Sequence, residues 1–364
     1  GLGLSQRELQ EFAGVDMGNI YHTALERYSR KLEQSEYDWF VVPDAVRRQM
    51  AENAMQEAIA GYPGMAVCDT AENAYQRKRM LAIFDQTVWA LTRQVRAGQF
   101  VPEKFEVTFD ELEGKESLEY RLSHDVTMRL EGRIDRLDVM KTDDKVYVKI
   151  IDYKTGNTTF DLVSIYYGLQ MQLVVYMRAA MQIEKKRHPD KNIIPAGLLY
   201  YNIDNPIVEL DSTASDLPDD GASVEKMIFE ALAMKGVVNC DGNIIKNMDS
   251  SDVKKSDVIP VSYKKDGTID SRSHILNTDQ FISLDNYIAK KTSDVGKKIY
   301  SGADKINPYK DGNYSSCSYC PYNEVCGFSQ NLGNIKFRQI QKFDDAQLWE
   351  NIKEGVDEDG SKLD

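Results

Sequence analysis

The sequence predicts a mixed α/β fold: a small mixed sheet flanked by helices, with a helical insertion and a C-terminal extension that carries cysteines. Three observations lead to it. Helix-period apolar patterning dominates the chain up to Gly98, three strand-like segments follow in close succession, and a helix and then a further strand come after them. At 364 residues the chain exceeds the usual single-domain size, so one large decorated domain or two domains is expected. A hydrophobic content of 42% favours a globular chain over a disordered one. No apolar run reaches the ~18 residues that suggest a membrane-spanning helix.

The elements follow in order. In "GVDMGNIYHTALERYSRKL", Ile20, Ala24, Leu25 and Tyr28 recur at helical spacing with Asp16 as the cap, which sets His22 on or near the buried side. Helices at "PDAVRRQMAENAMQEAIAGY" and "TAENAYQRKRMLAIFDQTVWALTRQVRAG" make residues 35–98 a helical insert; Pro43 fits a first turn, and Gly61 and Gly98 fit stops. Strands are predicted at "FVPEKFEVTF", "VTMRLEGRIDRLDVM" and "VYVKIIDYKT", then a helix at "VSIYYGLQMQLVVYMRAAMQ" and a strand at "PAGLLYYNI". Residues 206–276 read as a polar elaboration around one helix, "SVEKMIFEALAMKG". A helix at "TDQFISLDNYIAKKTSDVGKKIYSG" leads to a cysteine-bearing segment, residues 304–328. One domain is therefore expected over residues 1–328, with an acidic tail over 329–364.

Forty-five basic against 58 acidic side chains give a net charge of −13, which disfavours a nonspecific polyanion binder. Residues 343–364 hold eight acidic and two basic side chains, so the remainder still carries about −7. If the partner is DNA, a local patch, bound divalent cations or another subunit must supply the grip. The opening "GLGLSQRELQEF" has no initiating Met, basic n-region or apolar h-region, and reads as a cut within a longer, cytoplasmic protein.

The stretch "GRIDRLDVMKTDDKVYVKIIDYKTG", residues 132–156, carries five aspartates. An antiparallel hairpin centred between Asp143 and Asp144 pairs Val139 with Val148, Leu137 with Ile150 and Asp138 with Lys149. That register gives Asp138 a cross-strand cation and leaves Asp143 and Asp144 in the turn. Asp161 reads as the cap of the helix that follows. Asp135 and Asp152 then face each other, roughly 5 Å apart, where like charges need a proton or a cation. Lys154 shares their face by strand alternation. Two carboxylates beside an amine suit a hard divalent ion and a charge-stabilising or basic group.

At these residues the chain resembles the PD-(D/E)XK nucleases, specifically their RecB-like branch. Gly132, Ile134 and Asp135, then Asp152, Tyr153 and Lys154, match the family's Gly-x-Ile-Asp strand followed by Asp-x-Lys. His22 in "DMGNIYHTALE" matches a histidine on an upstream helix. Gln172 and Tyr176 in "QLVVY" match a Gln-x-x-x-Tyr helix, their spacing placing both on one helix face. Glu106 in "VPEKFEVTF" matches a glutamate that helps hold metal in some relatives.

Within this branch the chain is most similar to AddB-like nuclease domains of helicase–nucleases that process double-strand DNA ends for recombination. The similarity runs through "GLLYYNIDNPIVEL", "GADKINPY" and "CSYCPYNEVCGF". It implies a restriction-endonuclease-like core and a Mg²⁺- or Mn²⁺-dependent DNA exonuclease serving double-strand break repair. The implied substrate is single-stranded DNA or an unwound duplex end, and the implied partner is a helicase–nuclease subunit of AddA type. His22, Asp135, Asp152, the main-chain carbonyl of Ile151 and Glu106 would hold metal; Lys154, Gln172 and Tyr176 would complete the catalytic set. By their own local sequence, Gln172 and Tyr176 also fit simple packing against the sheet, and Glu106 a strand-surface acid. His124, His188 and His274 have no partner pattern.

Cys317, Cys320 and Cys326 are spaced C-x2-C-x5-C, a pattern for a soft metal centre rather than a disulfide framework. The resemblance implies that these three join a fourth cysteine upstream of Gly1 to bind a [4Fe–4S] cluster, which would be absent or incomplete in this chain. Cys68, in the helical insert, or Cys240, in the polar elaboration, is the alternative fourth ligand within this chain, though both lie away from the three in sequence.

Three rival readings remain at this stage. One is a noncatalytic, metal-stabilised scaffold or DNA-guiding module of the same type of complex, which has no need of Lys154. Another is a zinc module built on the cysteines, predicting one Zn²⁺ per chain. The third, a two-carboxylate glycosidase, fits poorly with an adjacent lysine.

Overall fold

Apolar residues three and four apart build the opening helices. A computed structural model of the chain describes residues 14–62, 71–109, 118–208, 221–251, 253–312, 314–329 and 335–355. Helices α1 (Gly14–Glu33), α2 (Asp44–Ala60) and α3 (Ala71–Arg96) come first. Asp16 lies inside α1 rather than ahead of it, and Pro43 stands at the N-cap of α2, one residue before the predicted position. The Gly61 N–H donates to the Glu57 carbonyl and closes α2. Cys68 lies outside the described residues.

The strands and later helices are β1 (Val101–Thr108), β2 (Glu119–Arg121), β3 (Thr127–Arg129), β4 (Arg133–Lys141), β5 (Lys145–Lys154), α4 (Leu162–Tyr166), α5 (Gln172–Arg187), β6 (Asn192–Asn202) and α6 (Gly221–Ala231). They continue with β7 (Lys235–Asn239), α7 (Gly242–Met248), β8 (Ile275–Leu276), α8 (Thr278–Tyr300), β9 (Tyr309–Asp311), β10 (Tyr314–Ser315), α9 (Asn323–Cys326), β11 (Arg338–Gln339) and α10 (Asp345–Glu354). One sheet runs β1-β4-β5-β6-β7-β8. Its β5–β6 and β7–β8 pairs are parallel and the others antiparallel, so the expected mixed sheet flanked by helices is what forms.

The chain divides into two compact units, Gly1–Ser117 with Glu131–Phe160 and Tyr176–Phe281, and Leu118–Leu130 with Asp161–Val175 and Ile282–Asp364. The first holds the six-stranded sheet and a core in which Ile20, Tyr28, Met55, Phe84 and Leu91 of the helices join Ile151, Tyr153 and Leu199 of the strands. Helices α2 and α3 of the predicted helical insert thus contribute residues to this core. The second unit holds the β2–β3 hairpin and the small sheet β10-β9-β11. Its α10, within the predicted acidic tail, buries Leu348 and Ile352 and is capped by Asp344, whose carboxylate accepts from the Gln347 N–H.

Several expected elements are divided. "VTMRLEGRIDRLDVM" breaks between β3 and β4, because Gly132 passes against Phe109; a Cβ at Gly132 would lie 2.6 Å from the ring. The predicted helix from Val163 breaks between α4 and α5 at Gly168, whose φ of +78° favours glycine. Residues 206–276 are more than an elaboration, since β7 and β8 extend the main sheet.

The β4–β5 ladder has the predicted register: Val139 faces Val148, Leu137 faces Ile150 and Asp138 faces Lys149. Asp138 is fully buried. It accepts from Arg136 Nε at 2.6 Å and Nη2 at 2.8 Å, and pairs with Lys149 Nζ at 2.9 Å. Arg136 also lies over the Trp39 and Phe105 rings, and Lys149 over Phe100. Asp138→Ala would leave two buried cations without their anion. It is expected to cost about 3–5 kcal/mol of unfolding free energy in urea denaturation.

Candidate active site

Three neighbouring strands bring three carboxylates into one row. On β1 and β4, Glu106 and Asp135 lie between the paired rungs Phe105–Arg136 and Val107–Ile134. On β5, Asp152 lies one residue past Ile151, the last residue paired with β4. Beyond that rung Asp135 takes over the pairing, its Oδ2 accepting the Tyr153 N–H at 2.8 Å. The side chains of Glu106, Asp135 and Asp152 are 4%, 9% and 1% exposed. Glu106 is therefore not the strand-surface acid its local sequence allowed. It reaches its place with φ +50°, a left-handed conformation that costs a non-glycine residue about 1–3 kcal/mol.

His22, projecting from α1, closes the row. Its Nδ1 lies 3.3 Å from Glu106 Oε1 and 3.5 Å from Asp135 Oδ2, and its Nε2 lies 3.1 Å from the Tyr153 carbonyl. The main-chain oxygen at the site is thus that of Tyr153. Ile151, expected in that role, is held within the ladder opposite Arg136.

Two cations stand at the rim. Lys154 Nζ is 2.6 Å from Asp152 Oδ2, and Arg133 Nε is 2.6 Å from Glu106 Oε2. Sequence reasoning missed Arg133 and the Tyr153 carbonyl. Two residues before Asp135 on the same strand, Arg133 was available to the alternation that found Lys154.

Charge crowding shapes the titration of the row. Burial, reinforced by the Asp152 charge, pushes Asp135 up to about 7. Burial likewise raises Asp152, against the pull of Lys154. Burial alone would lower His22, but Glu106, Asp135 and Asp152 together outweigh it and raise it. Asp152 Oδ1 is buried without a hydrogen-bond partner among the described residues. A clustered set of carboxylate oxygens, an imidazole and one orphaned buried oxygen fits a hard divalent cation. Among the described residues, His22, Glu106 and Asp135 form the grouping whose ligand atoms all lie within 4.8 Å of one another.

The other predicted residues are placed as follows. Tyr176 is buried and packs edge-on against Phe109, with ring centroids 5.9 Å apart. Gln172 is the first residue of α5 and falls in the second unit. Cys317, Cys320 and Cys326 are free thiols around a 3-10 turn and the short α9. Cys240 is also free. His124 is exposed beside Asp125, and His188 lies by Glu184.

A profile of the PD-(D/E)XK nuclease superfamily matches residues 1–327. The chain is 35% identical over 363 residues to an ATP-dependent helicase/deoxyribonuclease subunit of Lachnoclostridium phytofermentans, covering 97% of this chain and 30% of that protein. The protein of the same name from Clostridium kluyveri is 31% identical over 359 residues, covering 98% of this chain and 31% of that protein. The chain thus spans about a third of the length of the curated relatives it matches. None of the described helices is long and apolar enough to cross a membrane.

The raised Asp135 carboxyl fixes the sign of a pH effect. Between the ordinary carboxylate range and about 7, the folded chain keeps a proton that the unfolded chain has lost, so stability falls as pH rises through that window. A divalent cation takes the deprotonated form. Thermal melting should therefore show a larger Mg²⁺-induced gain at about pH 8 than at about pH 5.5. Asp135→Asn should raise the melting temperature of the metal-free chain at about pH 8 by roughly 1–3 °C and abolish the Mg²⁺ gain.

Proposed function

This chain belongs to the PD-(D/E)XK nuclease superfamily, and we propose that it is the metal-dependent DNA exonuclease domain of a larger ATP-dependent helicase–nuclease acting in double-strand break repair and recombination. Its substrate would be single-stranded DNA or an unwound duplex end, its partner a subunit of AddA type, and its compartment the cytoplasm. The relatives' name supports a deoxyribonuclease role. The observation that carries the reading is the row Glu106–Asp135–Asp152, closed by His22 with Lys154 on the same face.

Glu106, Asp135, Asp152, His22 and the Tyr153 carbonyl are the groups that would hold Mg²⁺ or Mn²⁺. Bound there, the ion would supply positive charge against the scissile phosphate and render water more acidic. Lys154, steadied by Asp152, directs its Nζ to the attacking water and to the phosphate oxygens on which negative charge grows in the pentavalent transition state. The Tyr153 N–H holds Asp135 in orientation. Tyr176, packed edge-on against Phe109, would position the DNA strand or Lys154, and Gln172 would position the DNA strand. Cys317, Cys320 and Cys326 would join a further cysteine in holding a [4Fe–4S] cluster in the larger protein, and no step runs through them.

Asp152→Ala and Lys154→Ala should each reduce Mg²⁺-dependent degradation of single-stranded DNA by at least about a hundredfold, with the circular dichroism spectrum unchanged. Undiminished nuclease activity in either variant refutes the assignment. A wild-type chain that binds DNA but never cleaves it supports the noncatalytic scaffold reading instead.

A further inference from the structure

We propose that Arg133 is a substrate-binding residue, its guanidinium contacting a backbone phosphate of the DNA strand that lies over the carboxylate row. This rests on the nuclease reading above and adds to it a residue that neither the motif nor the predicted set includes. Three observations carry it.

The first is position. Arg133 is two residues before Asp135 on β4, as Lys154 is two residues after Asp152 on β5, so strand alternation turns both cations to the face that bears the acids. The paired ladder ends at the Arg136–Ile151 rung, and Arg133 and Lys154 both lie beyond it, at the same end of the hairpin. Two cations therefore border the acidic row on its open side.

The second is exposure. The Arg133 side chain is 57% exposed, whereas the Glu106 carboxylate it touches is 4% exposed. Its Nε lies 2.6 Å from Glu106 Oε2, an ion pair at one edge of the guanidinium. A guanidinium carries five donors in a planar fork suited to phosphate. Glu106 holds the Nε edge of that fork while more than half of the side chain stays open to solvent.

The third is charge. A net charge of −13 and three adjacent buried carboxylates repel a polyanion at the place where it must be cut. Lys154 is tied to Asp152 and serves the reacting group. A second, more exposed cation at the Glu106 end offers the strand a contact beside the row, and Glu106, held by both Arg133 and His22, links that contact to the metal-holding groups.

The test is equilibrium binding of a fluorescein-labelled single-stranded oligonucleotide to this chain in EDTA, followed by anisotropy over a series of salt concentrations. Mg²⁺-dependent melting is measured in parallel. Arg133→Gln should weaken binding by at least about fivefold and lower the slope of log K against log salt by roughly 0.7, the value for one contact to a single strand. Arg133→Lys should keep the slope. Wild-type affinity and slope in Arg133→Gln, in a chain that binds and cleaves DNA, overturn the proposal alone. So does weakened binding at unchanged slope with a displaced Mg²⁺ midpoint, which makes Arg133 a prop for Glu106. A wild-type chain that neither binds nor cleaves DNA overturns the nuclease reading and this inference together.

Discussion

The buried pairing of Asp138 with Arg136 and Lys149 sets the register on which the site depends. A slip of one residue between β4 and β5 would turn every side chain to the opposite face, and it would part Lys149 from Asp138 inside the core. Several kcal/mol stand against such a slip, because a buried charge without its partner is costly. The same rung that satisfies Asp138 on one face forces Asp135 beside Asp152 on the other. An interaction that stabilises the hairpin thus imposes a repulsion at its end.

That repulsion gives the site its chemistry. Three buried carboxylates, one of them on a left-handed residue, are held side by side at the margin of the sheet. Lys154 and Arg133 each hold an end, and His22 bridges Glu106 and Asp135, yet burial, reinforced by neighbouring carboxylate charge, lifts Asp135 and Asp152 toward the protonated form. A proton relieves this at low pH. In the function proposed above, a divalent ion would take that role at higher pH.

Much of this was legible in the sequence, because alternation and opposite-charge pairing are short-range signals. The pairs Val139–Val148, Leu137–Ile150 and Asp138–Lys149 together fix the register, and the register isolates Asp135 and Asp152. What escaped depends on contacts distant in sequence. Glu106 is buried because β1 lies against β4, and the Tyr153 carbonyl joins the site because α1 delivers His22 to it. The breaks after β3 and α4 were hidden because residues of suitable pattern run straight through them. The constraints at Gly132 and Gly168 come from Phe109 and from a positive φ, respectively. The short strand β7 was lost in polar surroundings and is recognised by its pairing with β6.

The central claim is that Glu106, Asp135 and Asp152 together form a divalent-cation site. Anomalous diffraction from a crystal of this chain grown with Mn²⁺ tests it most directly. The account predicts a peak within bonding distance of Asp135 and Asp152, with His22 or Glu106 as a further ligand. Mn²⁺ bound elsewhere, with the carboxylate row protonated or paired only with Lys154 and Arg133, would contradict it.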